Sequence, residues 1–159
     1  MMPFNSSSEC DDHGLKDGWL VFISHSGQDV WIAKQIAREI AACGAVPFLD
    51  EAGIEIGASF EDQLLTFLNK AQELVVLITP WALSRPYVWA ELGAAWGRRI
   101  PIVAVLYGIT EFDIQSKAEI PGFLKKRNII GLNEIDIYLN QLKDRVNRAS
   151  SQMKGANHD

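Results

Sequence analysis

A chain of 159 residues holds one domain with a full core and leaves little room for a second. With 48% hydrophobic and 22% charged residues it has the composition of an ordinary globular protein, and its net charge of −5 argues against a nucleic-acid binder, which normally carries a basic patch. No apolar run approaches a membrane span, Cys10 and Cys43 read as free thiols without metal-ligand spacing, and His13, His25 and His158 are too scattered for a metal site.

Residues 1–17, rich in Ser, Asp and Gly, read as a disordered leader because they hold too little apolar surface to offset ordering entropy. The opening Met1, Met2, Pro3, Phe4 lacks the basic region and apolar stretch of a signal peptide, so a cytoplasmic protein is expected. Trp19 to Ile23 is a continuous apolar run before the turn residues Ser24, His25, Ser26 and Gly27, the pattern of a fully buried strand. Ile32, Ile36 and Ile40 then recur at helical spacing until Gly44. Ala45 to Leu49 predicts a second strand, Asp50 to Gly57 an acidic loop, and Phe60, Leu64, Leu65 and Leu68 a helix. Leu74 to Thr79 predicts the third strand, Pro80 to Pro86 a turn, Tyr87 to Arg98 a helix and Ile100 to Tyr107 the fourth strand. A looser stretch from Gly108 to Gly122 precedes a short edge strand at Asn128 to Gly131, an amphipathic helix from Ile135 to Val146, and a polar tail over 149–159. Near-continuous apolar strands alternating with helices imply a parallel sheet covered on both faces. The expected architecture is an open, five-stranded flavodoxin-like α/β fold, with one domain over 18–148.

In such a sheet ligands bind beyond the carboxyl ends of the strands. That rule selects Ser24 to Gly27, Asp50 to Gly57, Thr79 to Tyr87 and the loop after Tyr107. Glu91 lies on the helix that follows the third of these, and its neighbours at helical spacing are Tyr87, Val88, Ala94 and Ala95, none able to form an ion pair with it. A glutamate so placed either snorkels to water or is functional. Neither a Gly-x-Gly-x-x-Gly turn nor a Gly-Lys-Ser/Thr phosphate loop is present, and Ser24 and His25 stand where a phosphorelay receiver would need acids. Ser24 and Ser26 also read as plain turn residues, and Arg85 as either a pyrophosphate contact or surface. Phe60 reads as an anchor for the helix after it or as a ligand contact, and Trp89, Leu92 and Trp96 as a core-facing stripe.

Val21-Phe22-Ile23-Ser24-His25-Ser26, Phe48-Leu49-Asp50, Ile54 to Phe60, Val75 to Pro80, and Ser84 with Tyr87 to Leu92 occur in an order and spacing that resemble a bacterial-type Toll/interleukin receptor (TIR) domain over residues 18–148. The resemblance implies the flavodoxin-like fold and, for many members, cleavage of the nicotinamide glycosidic bond of NAD as substrate, with no resident cofactor. It maps the catalytic glutamate onto Glu91, a ring-stacking aromatic onto Tyr87, and pocket-lining positions onto Ser24, His25 and Ser26. Asp50 to Phe60 correspond to the family's loop over the site, and Ser84 to a further substrate-side residue. Tyr87 stands where the family usually has tryptophan, Val88 where it has cysteine, and the segment from Ser84 to Glu91 is one residue longer than common. The implied product is ADP-ribose or a cyclic isomer. The implied setting is anti-phage signalling through self-association with other TIR domains and a separate effector that responds to the product. A non-catalytic TIR scaffold is the alternative, and a nucleoside deoxyribosyltransferase, which shares the architecture and a catalytic glutamate, is a third.

Overall fold

A computed structural model describes residues 18–49, 66–117, 120, 122–125 and 128–156. The expected leader over 1–17, the loop from Asp50, and Phe60 with the start of its helix lie outside these residues.

Five parallel strands form one sheet in the order β2-β1-β3-β4-β5: β1 Leu20–Ser24, β2 Val46–Leu49, β3 Glu73–Ile78, β4 Ile102–Leu106 and β5 Asn128–Gly131. The three central strands are buried along their whole length, which is why they read as unbroken apolar runs. Pro47 sits in β2, an edge strand, where a missing N–H is tolerated.

Alternation along β1 sorts the core into two layers. Val21 and Ile23 pack with Ala33, Ile36, Ala37 and Ile40 of α1 (Val30–Ala42) and with Tyr138, Leu139, Leu142 and Val146 of the last helix. Phe22 faces the other way, with Leu68 of α2 (described over 66–70) and Val88, Leu92 and Ala95 of α3 (Pro86–Gly97). Phe48 joins that layer, stacked on Phe67 at 3.8 Å between ring centroids. Gly44 ends α1 at φ +88°, a conformation that favours glycine, and a Cβ there would lie 3.3 Å from the Val146 side chain, which would have to shift slightly.

Two expectations need correction. The stretch expected to be loose contains α4 (Glu111–Ser116), held by a reciprocal cap in which Asp113 N–H donates to Thr110 Oγ1 and Thr110 N–H to Asp113 Oδ2. The Thr-x-x-Asp spacing was its signal. A short α5 (Gly122–Lys125) follows, and α6 (Ile135–Gly155) runs well past the expected end at Val146.

At the amino edge of the sheet, Glu73 is 3% exposed and gathers donors from three residues, two on the last helix and one just before β1. Arg145 on α6 donates from Nε and from its terminal nitrogen at 3.1 and 2.6 Å, Trp19 Nε1 donates at 2.5 Å, and the Tyr138 hydroxyl at 3.3 Å. Burial, reinforced by the Glu73 carboxylate, pushes the Tyr138 phenol far above its ordinary range. Because the folded value lies above the unfolded one, this contribution is complete below about pH 10 and is lost as pH rises beyond it. Tyr138→Phe is therefore expected to flatten the fall in melting temperature between about pH 9 and 11, measured by thermal denaturation across that range.

Candidate functional site at the carboxyl edge

The end of β1 delivers three of the expected site residues. Ser24 follows Phe22 by two, so its side chain points into the α3 layer, and its partner in register, Val76, belongs to that layer too. It is fully buried, and among the described residues its Oγ has no hydrogen-bond partner. His25 Nδ1 lies 2.8 Å from the carbonyl oxygen of Ser26. A carbonyl only accepts, so Nδ1 carries a proton, and in the tautomer with that single proton Nε2 is an acceptor. That Nε2 is also buried and has no hydrogen-bond partner among the described residues. Two polar atoms are thus held ready at the top of β1. Leaving such groups unsatisfied costs about 1–3 kcal/mol each, which favours a site completed by a ligand or water.

Ser26 is placed differently from its neighbours. Its hydroxyl donates to Asp29 Oδ2 at 2.5 Å, so its proton serves the fold rather than an open pocket. Asp29 is itself 3% exposed and accepts a second hydroxyl, from Thr79 at 2.5 Å. The sequence reading missed Asp29. Its signal was Ser-x-x-Asp immediately before a helical repeat, which suggests a local cap but gives no hint of Thr79.

The turn between β3 and α3 explains how Glu91 is presented. Thr79 Oγ1 accepts from Ala82 N–H at 3.1 Å and starts a single 3₁₀ turn, Ala82–Ser84. Arg85 is extended, at φ −101° and ψ 111°, as the residue before proline must be, and Pro86 opens α3 where a missing N–H does no harm. Trp89 Nε1 then donates back to the Leu83 carbonyl at 3.0 Å. Glu91 comes five residues after Pro86, about 8 Å down the helix from the carboxyl edge. It lies on the inner face with Val88, Leu92 and Ala95 and is only 2% exposed, so the snorkelling alternative is out. Helix α3 packs over β1, β3 and β4, which puts Glu91 and Ser24 in the same layer of the molecule.

The remaining candidates are dispersed. Tyr87 is 60% exposed on the first turn of α3. Ser84 is exposed, donates to the Trp81 carbonyl at 3.0 Å, and borders an open groove of about 460 Å³ with Pro80, Leu83, Gly108, Ile109, Asp113 and Lys117, toward β4 rather than β1. Asp50 and Phe60 lie outside the described residues. Trp96 corrects the expected core stripe: it is half exposed, while Trp89 is half-buried. No described helix is long and apolar enough to cross a membrane.

A family model described as "TIR domain" matches residues 21–143. Among solved structures, the TIR domain of the Toll-related receptor TRR-2 from Hydra magnipapillata is similar at TM-score 0.57 and 17% identity, over 78% of this chain and 95% of that one. A metazoan TIR-STING receptor from C. gigas, solved with 2′,3′-cGAMP, is similar at 0.59 and 19%, over 77% of this chain and 38% of that one. The TIR domains of the activated Roq1 resistosome are similar at 0.52 and 16%, over 84% of each. At these identities the likeness speaks for the fold. No curated protein matches the chain in sequence.

Proposed function

The chain belongs to the TIR-domain family, and from that premise we propose that it cleaves the bond between nicotinamide and ribose in NAD, with Glu91 as the catalytic carboxylate. The observation that carries this reading is the burial of Glu91 at 2% exposure, on the sheet face that also holds the open hydroxyl of Ser24.

The chemistry asks little of the protein. The nicotinamide of NAD is a cationic pyridinium, so when the C1′–N bond breaks the electron pair neutralises the leaving group and no general acid is needed. A glycosidase acting on a neutral sugar needs two carboxyls; here one suffices. Its task is to stabilise the oxocarbenium-like ribose, and apolar surroundings strengthen that attraction because they screen it less than water does. Capture of the cation by water, with release of a proton, gives ADP-ribose; capture by a nitrogen of the adenine base gives a cyclic isomer. Ser24 Oγ and His25 Nε2 are suited to receive hydrogen bonds from substrate hydroxyl or amide groups, and Tyr87 offers an exposed ring for stacking. On the family resemblance Asp50, Phe60, Ser26 and Ser84 complete the substrate side. Self-association with other TIR domains, anti-phage signalling from the cytoplasm and a separate effector that responds to the product belong to the same proposal.

The test is to incubate the purified chain with NAD across a range of protein concentrations and identify products by mass spectrometry. Nicotinamide with ADP-ribose or a cyclic isomer supports cleavage. One observation favours the scaffold instead: Trp81, Tyr87, Tyr107 and Phe112 leave large exposed aromatic surface near the same edge. Absence of turnover at every concentration, with self-association intact, would select it.

His25 supplies a second check. His25→Asn keeps an N–H near the Nδ1 position and loses the acceptor at Nε2, whereas His25→Gln places an amide oxygen near Nε2. Loss of one hydrogen bond is worth about 1 kcal/mol. His25→Asn is thus expected to raise KM for NAD roughly fivefold and His25→Gln by less, as read from initial rates of nicotinamide release.

A further inference from the structure

We propose that Asp29 is a positioning residue, a buried brace that holds the β1 loop and the start of α3 in the relation that NAD cleavage at Glu91 requires; the inference rests on the function proposed above. A carboxylate at 3% exposure must be compensated by donors, and Asp29 takes them from two separate elements. Ser26 Oγ comes from its own loop and Thr79 Oγ1 from the end of β3, 50 residues away, both to Oδ2. Each donor leads on to one side of the site. On the β1 side, the Ser26 carbonyl accepts from Asp29 N–H at 3.0 Å and from His25 Nδ1 at 2.8 Å, so the loop geometry set by Asp29 also orients the His25 ring. On the other side, Thr79 accepts from Ala82 N–H through its hydroxyl and from Leu83 N–H through its carbonyl, at 3.1 and 3.2 Å. The Leu83 carbonyl receives Trp89 Nε1, two residues before Glu91. An unbroken series of hydrogen bonds thereby runs from His25 through Asp29 to the second turn of α3.

Packing alone does not call for this arrangement. Replacing buried polar partners by apolar groups of the same shape is often neutral for stability, whereas a carboxylate between two hydroxyls fixes directions as well as distances. Direction is what a catalytic carboxylate needs, since small displacements of a reacting group cost rate steeply.

Asp29→Ala removes a buried group outright and tests folding as much as positioning, so the hydroxyl donors are the better probes. Thr79→Val keeps the shape and removes the donor; Thr79→Ser keeps the donor. Thr79→Val is expected to lower kcat for nicotinamide release at least tenfold, with KM within about threefold of the parent, and Thr79→Ser to restore kcat to within about twofold. Hydrogen–deuterium exchange supplies a readout that needs no turnover. Ser26→Ala, which contacts neither Thr79 nor α3 in this series, is expected to speed exchange across residues 82–91. Equal kcat in the two Thr79 variants, or unchanged exchange in Ser26→Ala, would overturn the brace. A parent chain that releases no nicotinamide under any condition removes the NAD reading, and the exchange measurement then decides the brace alone.

Discussion

Glu91→Gln is expected to lower nicotinamide release from NAD by two orders of magnitude or more while the protein stays folded. The substitution keeps the size and shape of the side chain and deletes its charge. Removing one preorganised electrostatic group from a water-poor site costs about 3 kcal/mol, which is roughly a hundredfold in rate. The fold is expected to persist, because a neutral amide is easier to bury than a carboxylate, keeps an oxygen that accepts hydrogen bonds, and leaves the buried Val88, Leu92 and Ala95 beside it untouched. Glu91→Asp, which withdraws the carboxylate by one methylene, is expected to fall between parent and Gln variant. Single-turnover rates with melting curves on the same samples make the measurement. Full activity in Glu91→Gln would show that the carboxylate is not the catalytic group.

Arg145→Met is expected to produce the largest loss of stability among single surface-reachable changes, about 3 kcal/mol, or roughly 6–12 °C in melting temperature for a domain of this size. The guanidinium meets Glu73 with two nitrogens, and the carboxylate it serves is 3% exposed. Taking away the cation leaves that charge buried with, among the described residues, Trp19 and Tyr138 as its remaining side-chain donors. The loss extends beyond the pair, since these contacts tie α6 and the residue before β1 to the start of β3. Adding Glu73→Gln to Arg145→Met is expected to recover part of the loss, because the buried charge goes while an amide oxygen still accepts a hydrogen bond. Urea or thermal denaturation of the three variants checks both statements. A shift under about 1 kcal/mol for Arg145→Met would place the pair with ordinary surface ion pairs.

Both predictions start from residues of unequal visibility in the sequence. Glu91 stood out because its neighbours at helical spacing are apolar or aromatic, and helical periodicity is a local property that spacing reveals. Glu73 was invisible at the head of an apolar run, where it passed for the residue before the strand. Its partner Arg145 lies 72 positions away, on a helix read simply as amphipathic.

The same division holds across the chain. The five strands, the α1 repeat and the span of α3 follow from side-chain period and from burial on both sheet faces, and each lies within a residue or two of where the sequence puts it. The carboxyl-edge rule then named Ser24 and His25 before any partner was known. Tertiary structure decided what periodicity cannot encode. It committed the Ser26 hydroxyl to Asp29 and joined Asp29 to Thr79. It left Trp96 half exposed although its spacing from Leu92 matched the core stripe, because α3 meets the sheet along a narrower line than its apolar residues span. Local pattern determines which face of an element is apolar; only packing against the other elements determines how much of that face is covered, and which distant group satisfies a buried charge.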